Sequence, residues 1–183
     1  MTAAATAPGG AVTLRGERAG DAAALARVIV AAFADEPQGG QFERRIVDAL
    51  RVDGRLSVSL VAVRDGRLVG HVAFSPVAIG AGGEGWHGLA PLAVWPGCQR
   101  QGIGAALVRA GLDALRRAGA RGCVVLGEPA YYARFGFGFG FGFGPAGDIV
   151  FPQAPPDALM ALPFGEHAPC PAGALRYHAS FYA

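Results

Sequence analysis

Residues 95–112 read WPGCQRQGIGAALVRAGL. The first half is loop chemistry, with Pro96, Gly97, Gly102 and Gly104. The second half is helix chemistry, since Ile103, Leu107, Leu112 and, just beyond, Leu115 fall on one side of a helix predicted over residues 104–117 and closed by Gly119. A chain that enters a helix through Gly-x-Gly leaves the first-turn N–H groups unpaired, and glycine lets an anion come close to them. The helix dipole favours the same sign of ligand, and Arg100 adds a full positive charge. The dinucleotide fingerprint does not fit, because the third glycine would fall where Leu107 stands, and a Walker loop needs a lysine, which the sequence lacks. For a lone Gly-x-Gly, a tight strand-to-helix connection with no ligand is the competing explanation.

Working outward, WHGLAPLAV (86–94) is predicted as the strand that feeds this loop. Its Pro91 removes a ladder hydrogen bond, so a bulge or a splayed edge is expected there. After the helix comes CVVLG (123–127), a short β-branched run of the kind buried on both faces, completing a right-handed βαβ unit. Upstream, VTLR (12–15) reads as a first strand. A helix then runs from an Asp21 N-cap to about Ala34, with Leu25, Val28, Ile29, Ala32 and Phe33 at three- and four-residue spacing. A second helix over 41–51 places Phe42, Ile46, Val47 and Leu50 on one face. LSVSLVAV (56–63) and RLVGHVAFSPV (67–77) flank an Asp65-Gly66 turn as a hairpin. Downstream, a short helix over 128–135 precedes two extended pieces at 157–164 and 174–181. The fold class is α/β with one mixed sheet.

A chain of 183 residues, 52% hydrophobic and 16% charged, can bury one substantial core. A single domain over 11–183 behind a disordered leader at 1–10 is expected. All 16 basic residues are arginine, the net charge is +2, and no basic run marks a nucleic-acid surface. Cys98, Cys123 and Cys170 cannot all pair within the chain, and neither Cys-x-x-Cys nor any His/Cys/Asp/Glu cluster offers metal-ligand spacing. No secretory signal and no apolar run long enough for a bilayer is present, so a soluble cytoplasmic protein with no metal and no membrane partner is expected.

A second motif is YYARFGF (131–137), which follows the predicted strand and short helix. Together with Gln99, Gly102 and Gly104 as Gln-x-x-Gly-x-Gly and the strand residues Leu92, Ala93 and Val94, it resembles the GNAT superfamily of N-acetyltransferases. There, Arg/Gln-x-x-Gly-x-Gly/Ala binds coenzyme A, and Tyr-x-x-x-Gly-Phe, matched here by Tyr132, Gly136 and Phe137, follows. HVAFSPV, GLAPLAV and VVLGEPAYYARFGF look most like a bacterial branch of predicted N-acetyltransferases. The resemblance covers residues 12–143.

It implies a GNAT-like fold whose central parallel strands splay, and acetyl-CoA as cosubstrate. Backbone amides from Gln99, Arg100, Gln101, Gly102, Ile103, Gly104 and Ala105 would hold the diphosphate, with Leu92, Ala93 and Val94 along the pantetheine arm and the acetyl carbonyl. Tyr132 would protonate the departing thiolate, its phenol, with a pKa near 10, being still protonated at neutral pH. Tyr131 is taken as packing. The reaction implied is direct attack by a primary amine in a ternary complex. The resemblance also implies a Glu as base, but Gly88 stands near that position. His87, Glu84 and Glu128 are alternatives, as is a water chain, while His167 and His178 lie near the C-terminus. Without a carboxylate base, a non-catalytic acyl-CoA-binding regulatory module is the rival reading, and a protein-interaction domain is a third. Five Phe-Gly pairs at 135–144 exceed what the motif needs, and as an extended arm they lead us to expect a homodimer.

Overall fold

The computed structural model describes residues 10–135, 144–145, 148–155, 158–165 and 170–183. Ten strands and four helices follow one another as β1 (Val12–Gly16), α1 (Ala22–Ala32), α2 (Gln41–Val52), β2 (Val58–Arg64), β3 (Arg67–Pro76), β4 (Ala78–Ile79), β5 (Trp86–Val94), α3 (Ile103–Arg117), β6 (Gly122–Leu126), α4 (Pro129–Tyr132), β7 (Gly144–Pro145), β8 (Ile149–Val150), β9 (Leu159–Pro163) and β10 (Gly173–Arg176). Seven strands form a mixed sheet in the order β1-β2-β3-β5-β6-β9-β7, and β4, β10 and β8 form a small second sheet that the sequence pattern did not announce.

Helix α3 covers one face of the large sheet. It buries Ile103, Leu107, Val108, Leu112 and Leu115 against Val72, Phe74, Leu89 and Val125. Each such side chain contributes about 1.5–3 kcal/mol when removed from water. Helix and sheet approach closely at Gly111, where a Cβ would lie 2.2 Å from Phe74. Helices α1 and α2 cover the opposite face, packing Val28, Ile29 and Val47 on Ala93. Along β3 the alternation is strict. Val72 and Phe74 join the α3 core, so His71, Ala73 and Ser75 point to the other side.

β5 decides the shape of the site. Its first half pairs in parallel with β6, Trp86 to Leu89 against Gly122 to Val125. There the ladder ends, although β5 runs on to Val94 beside β3 alone. The β3–β5 register shifts between Val72 and Phe74, opposite the cis Ala90–Pro91 peptide, so the irregularity expected from Pro91 is present. Proline offers no N–H to the ladder, and the strand accommodates it by one extra residue.

Two local expectations are corrected. Asp21 does not cap α1 with its side chain. Its carboxylate accepts instead from Arg15 at 2.6 and 2.9 Å and from the Arg18 N–H at 2.8 Å, while a 3-10 turn leads into the helix. The extended piece expected over 174–181 ends at Arg176, and Ala179–Phe181 is a 3-10 turn whose Ser180 N–H is accepted by His178 Nδ1. The leader at 1–9, the Gly136-Phe137 end of the second motif and most of the Phe-Gly tract lie outside the described residues.

Candidate functional site

The loop between β5 and α3 is held by its own side chains. Gln99 Nε2 donates to the Val94 carbonyl at 3.1 Å, and Gln101 Nε2 donates to the Gly97 carbonyl at 3.2 Å. Arg64 on the β2–β3 turn donates to Gln101 Oε1 at 2.8 Å. These braces let the backbone take shapes that most residues avoid. Arg100 sits at φ 59° and Gly102 at φ 84°, and Gly102 immediately precedes the first turn of α3. That turn carries no acidic residue to compete for its N–H groups.

An open cleft of about 490 Å³ lies over this helix start. Its walls are Leu92 and Val94 of β5, Gln99, Arg100, Gly102, Gly104 and Ala105 of the loop and helix, and Tyr131 and Arg134 after β6. The lining suits a long ligand with one anionic end. Two arginines and the α3 N–H groups supply positive charge, while Leu92 and Val94 supply apolar wall on β5. A Cβ at Gly102 would meet nothing within 4 Å, so the loop is open there, and one at Gly104 would lie 2.8 Å from Tyr131 Oη.

Seven of the ten residues expected to bind the cosubstrate line this cleft: Leu92, Val94, Gln99, Arg100, Gly102, Gly104 and Ala105. The other three stand apart from it. Ala93 is buried against α1 and α2, Ile103 is 4% exposed in the α3 core, and Gln101 braces the loop. Arg134 was missed by the sequence reading. Its guanidinium stacks over Tyr131 at 4.6 Å, a pairing that the spacing Tyr131-x-x-Arg134 on one helical turn could have suggested.

The two tyrosines divide differently from their sequence reading. Tyr131, taken there as packing, is half-buried and presents its hydroxyl to the cleft, because Gly104 leaves room for it. Tyr132 is 8% exposed and packs in the α3 core, with its ring edge-on to Tyr131 at 5.0 Å. Gly127, at the end of β6, makes space for it, since a Cβ there would lie 2.6 Å from Tyr132 Cε2. Burial raises the Tyr132 pKa well above the ordinary phenol value, and the neighbouring Tyr131 and Cys123 add to the rise. A phenol so placed keeps its proton at neutral pH.

On the opposite face, Gly88 has no room for a carboxylate-bearing side chain, because a Cβ would lie 2.4 Å from Tyr177 Cε1. Tyr177 stacks with Phe181 at 4.7 Å and meets Phe151 edge-on at 5.5 Å, so aromatic rings fill this corner. His87, one residue away, points to the α3 side by strand alternation, and burial lowers its pKa. Among the described residues no group of three or more His, Cys, Asp or Glu could hold a metal ion, and no helix is long and apolar enough to cross a membrane.

Comparison with known proteins adds a family to this geometry. The model of the acetyltransferase (GNAT) family matches residues 23–137. The uncharacterised N-acetyltransferase YhbS of Escherichia coli (strain K12) is 47% identical over 95 residues, 51% of this chain and 57% of the relative, so that match spans little more than half the relative's length. Among solved structures, a GNAT family acetyltransferase from Brucella melitensis in complex with acetyl-CoA is 44% identical, with a TM-score of 0.77 over 93% of this chain and 98% of that one. YhbS from Escherichia coli in complex with CoA is 33% identical, with a TM-score of 0.82 over 97% and 96%.

Proposed function

The chain belongs to the GNAT family of acetyltransferases, and we propose that it transfers the acetyl group of acetyl-CoA to a primary amine by direct attack, with residues 11–183 acting as one domain in the cytoplasm. The observation that carries this reading is the cleft itself, lined by the α3 helix start, Arg100, Arg134 and the part of β5 beyond its ladder with β6. Two structures similar to this one hold acetyl-CoA and CoA respectively.

In this reading the N–H groups from Arg100 to Ala105 and the Arg100 and Arg134 guanidinium groups bind the diphosphate. Beyond Leu89, strand β5 has no partner on its β6 side among the described residues, so its backbone is available to orient an amide-rich arm and polarise an acyl carbonyl. Bound acetyl-CoA supplies an activated acyl group and a thiolate leaving group. Tyr132 is the proton donor for that thiolate. It belongs to the core between α3 and the sheet that also holds Leu89 and Val125, and burial keeps it protonated. Tyr131 supports it edge-on and closes the cleft wall. Holding the acyl group and the amine together lowers the entropic part of the barrier.

The test is thiol release from acetyl-CoA with a panel of primary amines, alongside Tyr132→Phe and Tyr131→Phe. Amine-dependent release that falls sharply in Tyr132→Phe and little in Tyr131→Phe supports the assignment. Tight acetyl-CoA binding with no release by any amine would favour the binding module instead. A homodimer, proposed from the Phe-Gly repeats, is checked by size-exclusion chromatography of a variant lacking residues 138–143, whose unchanged elution would reject it.

A further inference from the structure

The face of the sheet away from α3 carries a chain of polar groups, running from exposed or part-buried at Asp48, Arg51, Glu17 and Ser59 to fully buried at His71, that lies outside the cleft lining. Arg51 Nε on α2 donates to Glu17 Oε1 at 2.7 Å, and Arg51 also donates to Asp48 at 2.8 Å. Ser59 on β2 donates its hydroxyl proton to Glu17 Oε2, and Ser59 Oγ lies 2.9 Å from His71 Nε2 on β3. His71 is 0% exposed. Withdrawing polar side chains from water costs free energy unless each is satisfied, most of all at His71, so each atom's role follows from its partners.

A carboxylate offers only acceptors, so the Ser59 proton belongs to Glu17. Ser59 Oγ must then accept from His71, which places the imidazole proton on Nε2 and leaves Nδ1 as a bare lone pair. That Nδ1 is buried and has no hydrogen-bond partner. Two positions further along the same strand face, Ser75 Oγ is also buried without a partner. Their strand partners are informative: His71 pairs with Ala93 and Ser75 with Gly88. Two open polar atoms thus bracket the stretch of β5 that contains the Pro91 irregularity, on the face opposite the one that carries Tyr132. Buried orphans of this kind usually receive a water or a ligand group.

We propose that His71 takes the proton of the acceptor amine through buried water that reaches Nδ1, and that Ser59 and Glu17 relay it onward. This rests on the transferase reading. As the amine nitrogen bonds to the acyl carbon, its proton reaches Nδ1, the Nε2 proton passes to Ser59 Oγ, and the Ser59 proton passes to Glu17. The C–S bond breaks, and the sulfur takes the proton of Tyr132. Glu17 then loses its proton to solvent and Tyr132 regains one, which balances the cycle. Imidazole ends as its other tautomer, and it resets while staying neutral when Nδ1 gives its proton to water as Nε2 takes one from Ser59, which is replenished from solvent through Glu17. This agrees with its surroundings, since burial lowers the His71 pKa to about 4, with Glu17 opposing that shift and Arg51 reinforcing it.

Two measurements test the relay. In ¹⁵N-histidine NMR of the whole chain, His71 should carry its proton on Nε2, and a protonated Nδ1 would overturn the proposal with no reference to activity. In kinetics, with water and hydroxylamine as probe acceptors for acetyl-CoA, Ser59→Ala should lower kcat by roughly 100-fold while leaving KM for acetyl-CoA and calorimetric CoA binding within about twofold, and Ser59→Thr should restore it. A folded Ser59→Ala protein with unchanged kcat overturns the relay alone. No thiol release from the unaltered protein with either probe, nor with any amine of the panel, overturns the transferase reading and the relay with it.

Discussion

The two faces of strand β5 are built in opposite ways. On the α3 face the cleft comes from one continuous stretch, Leu92 to Ala105, joined by Tyr131 and Arg134. On the other face the groups come from β1, β2, β3, α2 and the C-terminal segment, through Glu17, Ser59, His71, Arg51 and Tyr177. Backbone amides at a helix start recognise an anion with little help from side chains, so a short motif suffices there. Recognition of an amine needs side chains brought from distant places, and each can vary independently. In the proposed reading the cofactor side rests on main-chain groups of one short stretch, and the acceptor side on side chains gathered from several elements.

The sharpest way to break the comparison is at Gly102. Gly102→Glu places a carboxylate at a helix start that suits anions and forces a side chain into φ 84°. Acetyl-CoA affinity should fall by about 100-fold or more, read by calorimetry, with the fold retained because nothing lies within 4 Å of the new Cβ. Next comes Tyr132→Phe, expected to lower kcat by about 10²-fold with KM for acetyl-CoA little changed, which separates the buried tyrosine from the cleft-lining Tyr131.

Gly88→Ala sharpens the other face. Its Cβ meets the Tyr177 ring, so a loss of about 1–3 kcal/mol of stability is expected, and Tyr177→Ala in the same chain should recover part of it. Denaturant unfolding of the two single variants and the double variant measures that coupling. The smallest effect is far from both faces. Arg15 holds the Asp21 pKa down, from 3.8 to about 2, mainly through its hydrogen bond. A carboxylate with a lowered folded pKa contributes stability that is present above about pH 4 and lost as pH falls toward 2. The difference in unfolding free energy between Asp21→Asn and the unaltered chain, from denaturant unfolding at each pH, should shrink across that window and amount to about 1 kcal/mol or less at neutral pH.

The same contrast explains what was legible in the sequence. Period and punctuation placed the strands and helices of residues 12–135 within a few positions, and Pro91 announced the β5 irregularity. Seven residues that line the cleft were picked out from one continuous stretch, 92–105, since local chemistry dictates local geometry. His71 and Ser75 were hidden because within RLVGHVAFSPV they read simply as inward positions of a hairpin strand. Only the register with Ala93 and Gly88, and the partners Ser59 and Glu17 from other elements, distinguish them. The aromatic corner at Gly88 was equally hidden, as Tyr177 arrives from 89 positions away. Asp21 misled for a simpler reason: a tertiary partner, Arg15, took the carboxylate from the helix start.

The central claim is that main-chain N–H groups at the start of α3 hold the diphosphate of acetyl-CoA. Backbone amide NMR of the whole chain titrated with CoA tests it most directly. Saturable shifts should be largest at Gly102, Ile103, Gly104 and Ala105, extending to Leu92 and Val94. A titration to millimolar CoA that leaves those six resonances in place would contradict it.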